Sequence, residues 1–301
     1  MINDLAQHSA EKIWLNESLD SGFGYAIYST RMLCQHQSKY QSIEVHETPS
    51  FGRLLRINGS FMASERDEFF YHENLVHVPA CTHTAPKSAL IVGGGDGGSA
   101  EELLKHNTIE SVKLVEIDPA VVDLSRTFLQ GIHHGVINEL DGDPRLKVII
   151  ADGLQFIQND TNLYDLIVLD LTDPGGVSEP LYTAEFYRQC ALRLQKGGLL
   201  SLHIASPFAH TDRMVKTVAA LKQAFKIVRP YMVSIPLYGG QWMMACASQS
   251  ADPLALGAAL IDSIIFERGL QHLQHYNGYT HQAAMALPNF VYRQLKPVGL
   301  R

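Results

Sequence analysis

The stretch Ser88-Ala89-Leu90-Ile91-Val92-Gly93-Gly94-Gly95-Asp96-Gly97-Gly98 decides the fold. An apolar run flows into a glycine-rich loop, and helix-forming Ala100-Glu101-Glu102-Leu103-Leu104 follows. Gly93, Gly95 and Gly98 stand in the register G-x-G-x-x-G, which permits a tight turn and close approach of a ligand to the backbone. A strand before the loop and a helix after it are the context that gives this spacing its meaning.

Downstream, apolar runs alternate with helical stretches. The runs are Val112 to Ile117, Leu146 to Ala151, Leu166 to Leu171 and Gly198 to Ile204. Between them lie Ala120 to Leu129 and Thr183 to Leu194. Continuous apolar strands spaced by helices predict a parallel sheet covered on both faces, with Ile227 to Val233 and Trp242 to Ala247 as late strands. Upstream, Tyr25 to Tyr28, Ser42 to His46 and Gly52 to Ile57 alternate apolar and polar positions, and Asn58-Gly59 is a hairpin signal. The expectation is an α/β protein. A small antiparallel β domain (residues 1–75) precedes a Rossmann-like, methyltransferase-type catalytic domain (76–301).

The ends of the predicted parallel strands carry acids. Glu116 closes the second strand, about twenty residues after the glycine loop, and suits a ribose diol. Asp152, before Gly153, closes the third and stands to accept a hydrogen bond from an adenine amino group. Ligands bind at this rim in open α/β sheets. A dinucleotide would set its pyrophosphate at the helix N-terminus, and the Asp96 carboxylate in that loop would repel it. A phosphate-free, cationic nucleoside of the S-adenosylmethionine type fits better.

The fourth strand runs into Asp170-Leu171-Thr172-Asp173-Pro174. Paired carboxylates bind an amine cation and accept its proton. An alkyl amine with a pKa of roughly 10 arrives protonated and must lose that proton before it can attack carbon. Ser64-Glu65-Arg66-Asp67-Glu68 reads as a helix start capped by Ser64, with its charges outward. Tyr71 and His72 follow as residues facing the site.

Composition excludes other classes. The 31 acidic and 24 basic residues give a net charge of −7, against a nucleic-acid binder. No apolar stretch is long enough for a bilayer, and Leu254 to Phe266 is broken by Asp262. The stretch Pro253 to Arg268 is apolar all round, which reads as core or subunit contact. The four cysteines are scattered and the N-terminus lacks an apolar signal segment, so a cytoplasmic protein is expected. The 14 histidines form no zinc spacing, and no metal is expected.

Taken together, these residues resemble the polyamine aminopropyltransferases, the spermidine synthases above all. The likeness runs through Tyr40-Gln41, Ser64 to Glu73, Leu90 to Gly98, Val115 to Asp118, Asp152-Gly153 and Asp170 to Pro174. It continues through Leu181, Phe186-Tyr187, Ser206-Pro207, Ile235-Pro236, Trp242 and His281 to Phe290. The resemblance implies transfer of an aminopropyl group from decarboxylated S-adenosylmethionine to a polyamine, putrescine first, with release of methylthioadenosine. The donor is then a co-substrate, and no tightly bound cofactor is implied. Gln41, Gly93, Gly95, Asp96, Glu116, Asp152 and Gly153 would bind the donor, Asp96 through its amine. Asp170 would be the base. Tyr71, His72, Asp173 and Trp242 would hold the acceptor, with Trp14 beside the same channel. The loop from Asp173 to Leu181 would close over the site. A homodimer or homotetramer is expected.

Three positions depart from that family's pattern: Asn58 where Asp is usual, Val177 where Pro is common, and His203 where Gln is frequent. They leave the acceptor open among putrescine, cadaverine, agmatine and spermidine. An S-adenosylmethionine methyltransferase on the same fold, and a paralogue that binds polyamine or nucleoside without catalysis, are the rival readings. Asp96 opposes the first, because it would face the carboxylate of intact S-adenosylmethionine. The Asp170/Asp173 pair opposes the second.

Overall fold

The computed structural model describes residues 13–300. The chain opens with a β hairpin, β1 (Ile13–Ser18) and β2 (Gly24–Ser29). A four-stranded antiparallel meander follows: β3 (Arg31–Gln37), β4 (Ser42–Thr48), β5 (Gly52–Ile57) and β6 (Ser60–Ser64). The β5–β6 turn is Asn58-Gly59, with φ of 52° and 86°. A type I′ hairpin needs two left-handed residues, and this pair tolerates them best. Ile43, Val45, Leu55 and Ile57 form the inner face of the meander, packed on Val121, Leu129 and Ile132.

Helix α1 (Glu68–Thr82) leads out of the meander. Residue 75, the boundary expected between the two domains, lies in the middle of it. The expectation of a helix capped by Ser64 with charges outward is corrected. Ser64 ends β6, the helix begins four residues later, and Asp67 and Glu68 are buried. Asp67 accepts from the Ser64 hydroxyl (2.5 Å) and the Leu237 N–H (2.7 Å). These acids face inward because they have partners there. Farther along, the Glu73 carboxylate accepts three backbone N–H groups, from Gln274, His275 and Tyr276 at 2.6–2.8 Å. That ties α1 to the C-terminal segment.

The remaining chain alternates: β7 (Ser88–Gly93), α2 (Gly98–Lys105), β8 (Ser111–Glu116), α3 (Pro119–Phe128), α4 (Gln130–His133), β9 (Leu146–Ile150), α5 (Gly153–Asn159), β10 (Tyr164–Asp170), α6 (Ala184–Leu192), β11 (Leu194–Ala205) and α7 (Thr211–Leu221). Strands β12 (Ile227–Ile235) and β13 (Gly240–Ser248) complete the sheet, before α8 (Ala258–Glu267), α9 (Gly278–Met285) and α10 (Asn289–Leu295). The sheet order is β12-β13-β11-β10-β7-β8-β9. Strands β11, β10, β7, β8 and β9 are parallel, and β13 and β12 are antiparallel additions. Leu90, Ile167, Leu169 and Leu200 are buried in one layer, and Ala89, Ile91, Leu166 and Val168 in the other. Burial on both faces is why these strands read as unbroken apolar runs.

From β7 the chain winds outward through β8 to β9, then crosses back to β10 on the other side of β7. The crevice between β7 and β10 is therefore the switch point at which such sheets bind ligands.

The apolar stretch Pro253 to Arg268 holds a short turn and α8. Of that helix only Ile261 is buried, and Leu260 and Phe266 are 50% and 72% exposed. It is a surface helix, so of the two expectations, core or subunit contact, the core one is corrected. Among the described residues, no helix is long and apolar enough to cross a membrane.

Candidate active site

At the switch point Gly93 and Asp170 are register partners on β7 and β10. The chain turns at Gly93 with φ of +82°, and a Cβ there would stand 2.1 Å from the Asp170 carbonyl oxygen. Only glycine lets the loop pass this close. Gly94 N–H then donates to that carbonyl at 2.8 Å, which fixes loop and strand end together.

The loop opens onto a cleft of about 840 Å³, including its mouth. All seven residues expected at the donor line it: Gln41, Gly93, Gly95, Asp96, Glu116, Asp152 and Gly153. Asp170 and Tyr71 line it too, beside an apolar wall that includes Leu55, Ile57 and Met62 from the meander. Val177, Ser178 and Leu181, from the loop expected to close, also line it. The Ser178 hydroxyl donates to the Asp173 carbonyl at 2.7 Å, bracing that loop from within.

The acids differ in how they are held. Glu116 Oε1 accepts the Asp118 N–H at 2.9 Å, and burial pushes the carboxyl up to about 7. Asp152 is the cap of α5, its Oδ1 accepting from the Leu154 N–H at 2.8 Å. Gln41 is steadied by Asp118, whose Oδ2 accepts from its amide at 3.1 Å and from the Ser38 hydroxyl at 2.6 Å. Asp118 also caps α3 through its other oxygen. It stood in the sequence only as the last letter of a motif.

Asp170 is held from two sides. Tyr71 donates to Oδ1 at 2.9 Å and Ser99, in the first turn of α2, donates to Oδ2 at 2.7 Å. Burial first, then the Asp170 charge, push the Tyr71 phenol well above its usual range, so it remains a proton donor to the carboxylate. Ser99 was not expected, although it directly follows the glycine loop.

His72 lies behind this wall. It is 1% exposed and lines neither cavity, which corrects its assignment as an acceptor contact. Its Nδ1 pairs with Glu68 at 2.9 Å, while Nε2 stands 3.7 Å from Asp96 and 4.0 Å from Asp170. Burial opposes its charge, but Asp96, Glu68 and Asp170 together raise it to about 10. It is an imidazolium, a fixed cation among three carboxylates. One ligand atom each from His72, Asp96 and Asp170 come within 4.8 Å of one another, a spacing a metal ion can bridge. The ring also explains Gly98, where a Cβ would stand 2.3 Å from His72 Cε1. Asp96 accepts the Gly98 N–H at 2.9 Å, and burial pushes it up to about 6 against the pull of His72.

A second cavity of about 340 Å³ lies beyond Met62, Leu171 and Tyr238, which line both spaces. Asp173 and Trp242 line it, as do Glu17, Tyr25, Phe61 and His203. Glu17 comes from β1 and nothing in the sequence marked it. Burial pushes its carboxyl up to about 7, against the Phe61 N–H that it accepts at 2.6 Å. His203 Nδ1 accepts from Trp242 Nε1–H at 3.3 Å, and its Nε2–H donates to the Leu171 carbonyl at 2.6 Å. Burial holds the ring below its usual pKa, so it is the neutral Nε2–H tautomer. It joins Trp242 to the segment between the two aspartates. Trp14, expected beside this channel, is instead 63% exposed on β1, against Tyr28.

Comparison with known proteins gives a consistent pattern. Residues 68–255 match the family model described as the spermine/spermidine synthase domain, and residues 13–65 match the spermidine synthase tetramerisation domain. A polyamine aminopropyltransferase of Nitrosomonas europaea is 49% identical over 275 residues, 91% of this chain and 83% of its own. One from Clostridium perfringens is 36% identical over 290 residues, 95% and 99% of the two chains. A crystal structure of spermidine synthase in complex with the transition-state analogue AdoDATO superposes with a TM-score of 0.88 at 33% identity, over 97% of this chain and 96% of that one. The spermidine synthase of Thermotoga maritima gives 0.87 at 33% identity, over 95% of each chain.

Proposed function

The chain belongs to the spermine/spermidine synthase family, and on that premise we propose that it transfers an aminopropyl group from decarboxylated S-adenosylmethionine to putrescine, forming spermidine and methylthioadenosine. The observation that carries this reading is the buried array of Asp96 and Asp170 around His72 at the switch point, facing a cleft without phosphate-binding cations among its lining residues. The solved relative that holds a transition-state analogue supports it.

The donor lies in the first cleft. Glu116, with Gln41 braced by Asp118, takes the ribose diol, and Asp152 and Gly153 flank the adenine. Asp96 takes the ammonium of the aminopropyl arm. Intact S-adenosylmethionine carries a carboxylate at that place, and Asp96 would repel it. The acceptor lies in the second cavity, with its reacting amine toward Asp170 and its far ammonium toward Glu17. Asp170 accepts the proton of the reacting amine. The freed nitrogen lone pair attacks the aminopropyl carbon next to sulfur, the C–S bond breaks, and its electron pair leaves on sulfur as a neutral thioether. Tyr71 and Ser99 hold the Asp170 carboxylate in one plane, so the contribution is alignment and proton removal. Residues 13–65, with Ile13, Trp14 and Met32 exposed, are read as the contact of a homotetramer.

The test is incubation with decarboxylated S-adenosylmethionine and a panel of amines, followed by mass spectrometry. Aminopropylated putrescine with methylthioadenosine is expected. Methylated amine with S-adenosylhomocysteine from the intact donor would replace this reading with a methyltransferase, and no product from any pair would leave a binding protein.

A further inference from the structure

The second cavity carries two carboxylates, Asp173 and Glu17, but they are not equivalent. Arg213, in the first turn of α7, reaches Asp173 from outside. Its Nη1 stands 2.7 Å from Asp173 Oδ2, out of line for a hydrogen bond, so the contact is an ion pair. Arg213 does not line the cavity; it faces a surface groove with Ala209, His210, Thr211 and Asp212. The other oxygen, Asp173 Oδ1, is buried without a partner. Asp173 thus presents an acceptor atom while its charge is countered from behind. Glu17 has a backbone N–H and a distant tyrosine hydroxyl (3.5 Å), and Arg56, the cation whose charge acts on it, is committed to Glu44 at 2.8 Å. His203 is neutral, and the Tyr25 hydroxyl donates to the Leu237 carbonyl. Among the described residues, no cationic side chain lines the cavity.

Building on the proposed function, we propose that Arg213 determines acceptor specificity by neutralising Asp173, so that the cavity matches an amine whose tail keeps a single positive charge. A diamine that has given up one proton for attack keeps one ammonium, which Glu17 balances. A triamine such as spermidine keeps two, and the second would meet a carboxylate already paired with Arg213. Charge complementarity sets which partner is accepted more than how tightly it is held. The role is that of a specificity residue acting through Asp173. Because Arg213 stands outside the cavity, its replacement changes charge without enlarging the space.

The test compares kcat/KM for putrescine and for spermidine as acceptors in the wild type and in Arg213→Met, Arg213→Gln and Arg213→Lys, with the fold of each checked by circular dichroism. The spermidine-to-putrescine ratio is expected to rise about tenfold in the two neutral variants, equivalent to about 1.4 kcal/mol. It should stay near the wild-type value in Arg213→Lys, which keeps the charge. An unchanged ratio in both neutral variants, with putrescine transfer retained, overturns the role of Arg213 alone. A wild type that transfers no aminopropyl group to any amine overturns the proposed function and this inference with it.

Discussion

The Tyr71 phenol donates a 2.9 Å hydrogen bond to Asp170 Oδ1 across 99 residues of chain, from the first helix to the end of β10. This contact, with Ser99 on the other oxygen, gives the proposed base a fixed orientation. Asp170→Asn is expected to lower kcat about 100- to 10,000-fold, the range for loss of a general base. Donor affinity should change little, because Asp96, Glu116 and Asp152 remain. Tyr71→Phe should cost about tenfold in kcat, in line with one hydrogen bond to a charged group. Stopped-flow and equilibrium titration separate the two quantities. Full activity in Asp170→Asn would remove it from the mechanism.

His72 gives a pH signature in stability. Its folded pKa of about 10 lies above the ordinary histidine value of 6.5, through Asp96, Glu68 and Asp170 acting against burial. A raised pKa contributes stability that is fully present below pH 6.5 and is lost as pH rises through 10. Glu116 and Glu17, raised to about 7, titrate below most of that window. Chemical denaturation between pH 7 and 9.5 should therefore show falling stability in the wild type, of the order of a few kcal/mol. A flatter profile is expected in His72→Gln, and equal slopes would show that the ring is not charged.

The same ring forbids a side chain at residue 98, since the Cβ would stand 2.3 Å from it. Gly98→Ala should lower stability by about 1–3 kcal/mol, as overpacking does in a fixed environment. It should also weaken turnover, because Ser99 is the next residue and holds Asp170. A thermal melt with normal Tm would show that the loop relaxes freely.

Asp118 joins the donor site to the fold. It accepts from Gln41 and Ser38 and caps α3. Asp118→Ala should raise the donor Kd about as much as Gln41→Ala does, and in addition cost about 1 kcal/mol of stability for the lost cap. Calorimetric titration and melts on both variants check the pattern. Equal melting temperatures would deny the capping role.

The main sheet was legible because burial on both faces writes continuous apolar runs into β7, β8, β10 and β11, and because glycine and aspartate punctuate their ends. Strand β3 (Arg-Met-Leu-Cys-Gln-His-Gln) was not. It is an exposed edge strand and needs no apolar alternation. Most residues lining the first cleft were legible for a related reason, since they sit at strand ends that topology brings to one rim. The second cavity and its surroundings were harder. Glu17 arrives from a distant hairpin and Arg213 from a surface helix. Neither leaves a local pattern in the chain.

In the proposed function, Asp96 makes the glycine loop a site for a donor with an amine and no carboxylate. Titration calorimetry of the wild type against decarboxylated and intact S-adenosylmethionine tests it without relying on turnover. The decarboxylated donor is expected to bind at least about thirtyfold more tightly, about 2 kcal/mol, because it makes a charge-assisted hydrogen bond to Asp96 and brings no carboxylate to be repelled. Equal affinity, or tighter binding of the intact donor, would contradict the account.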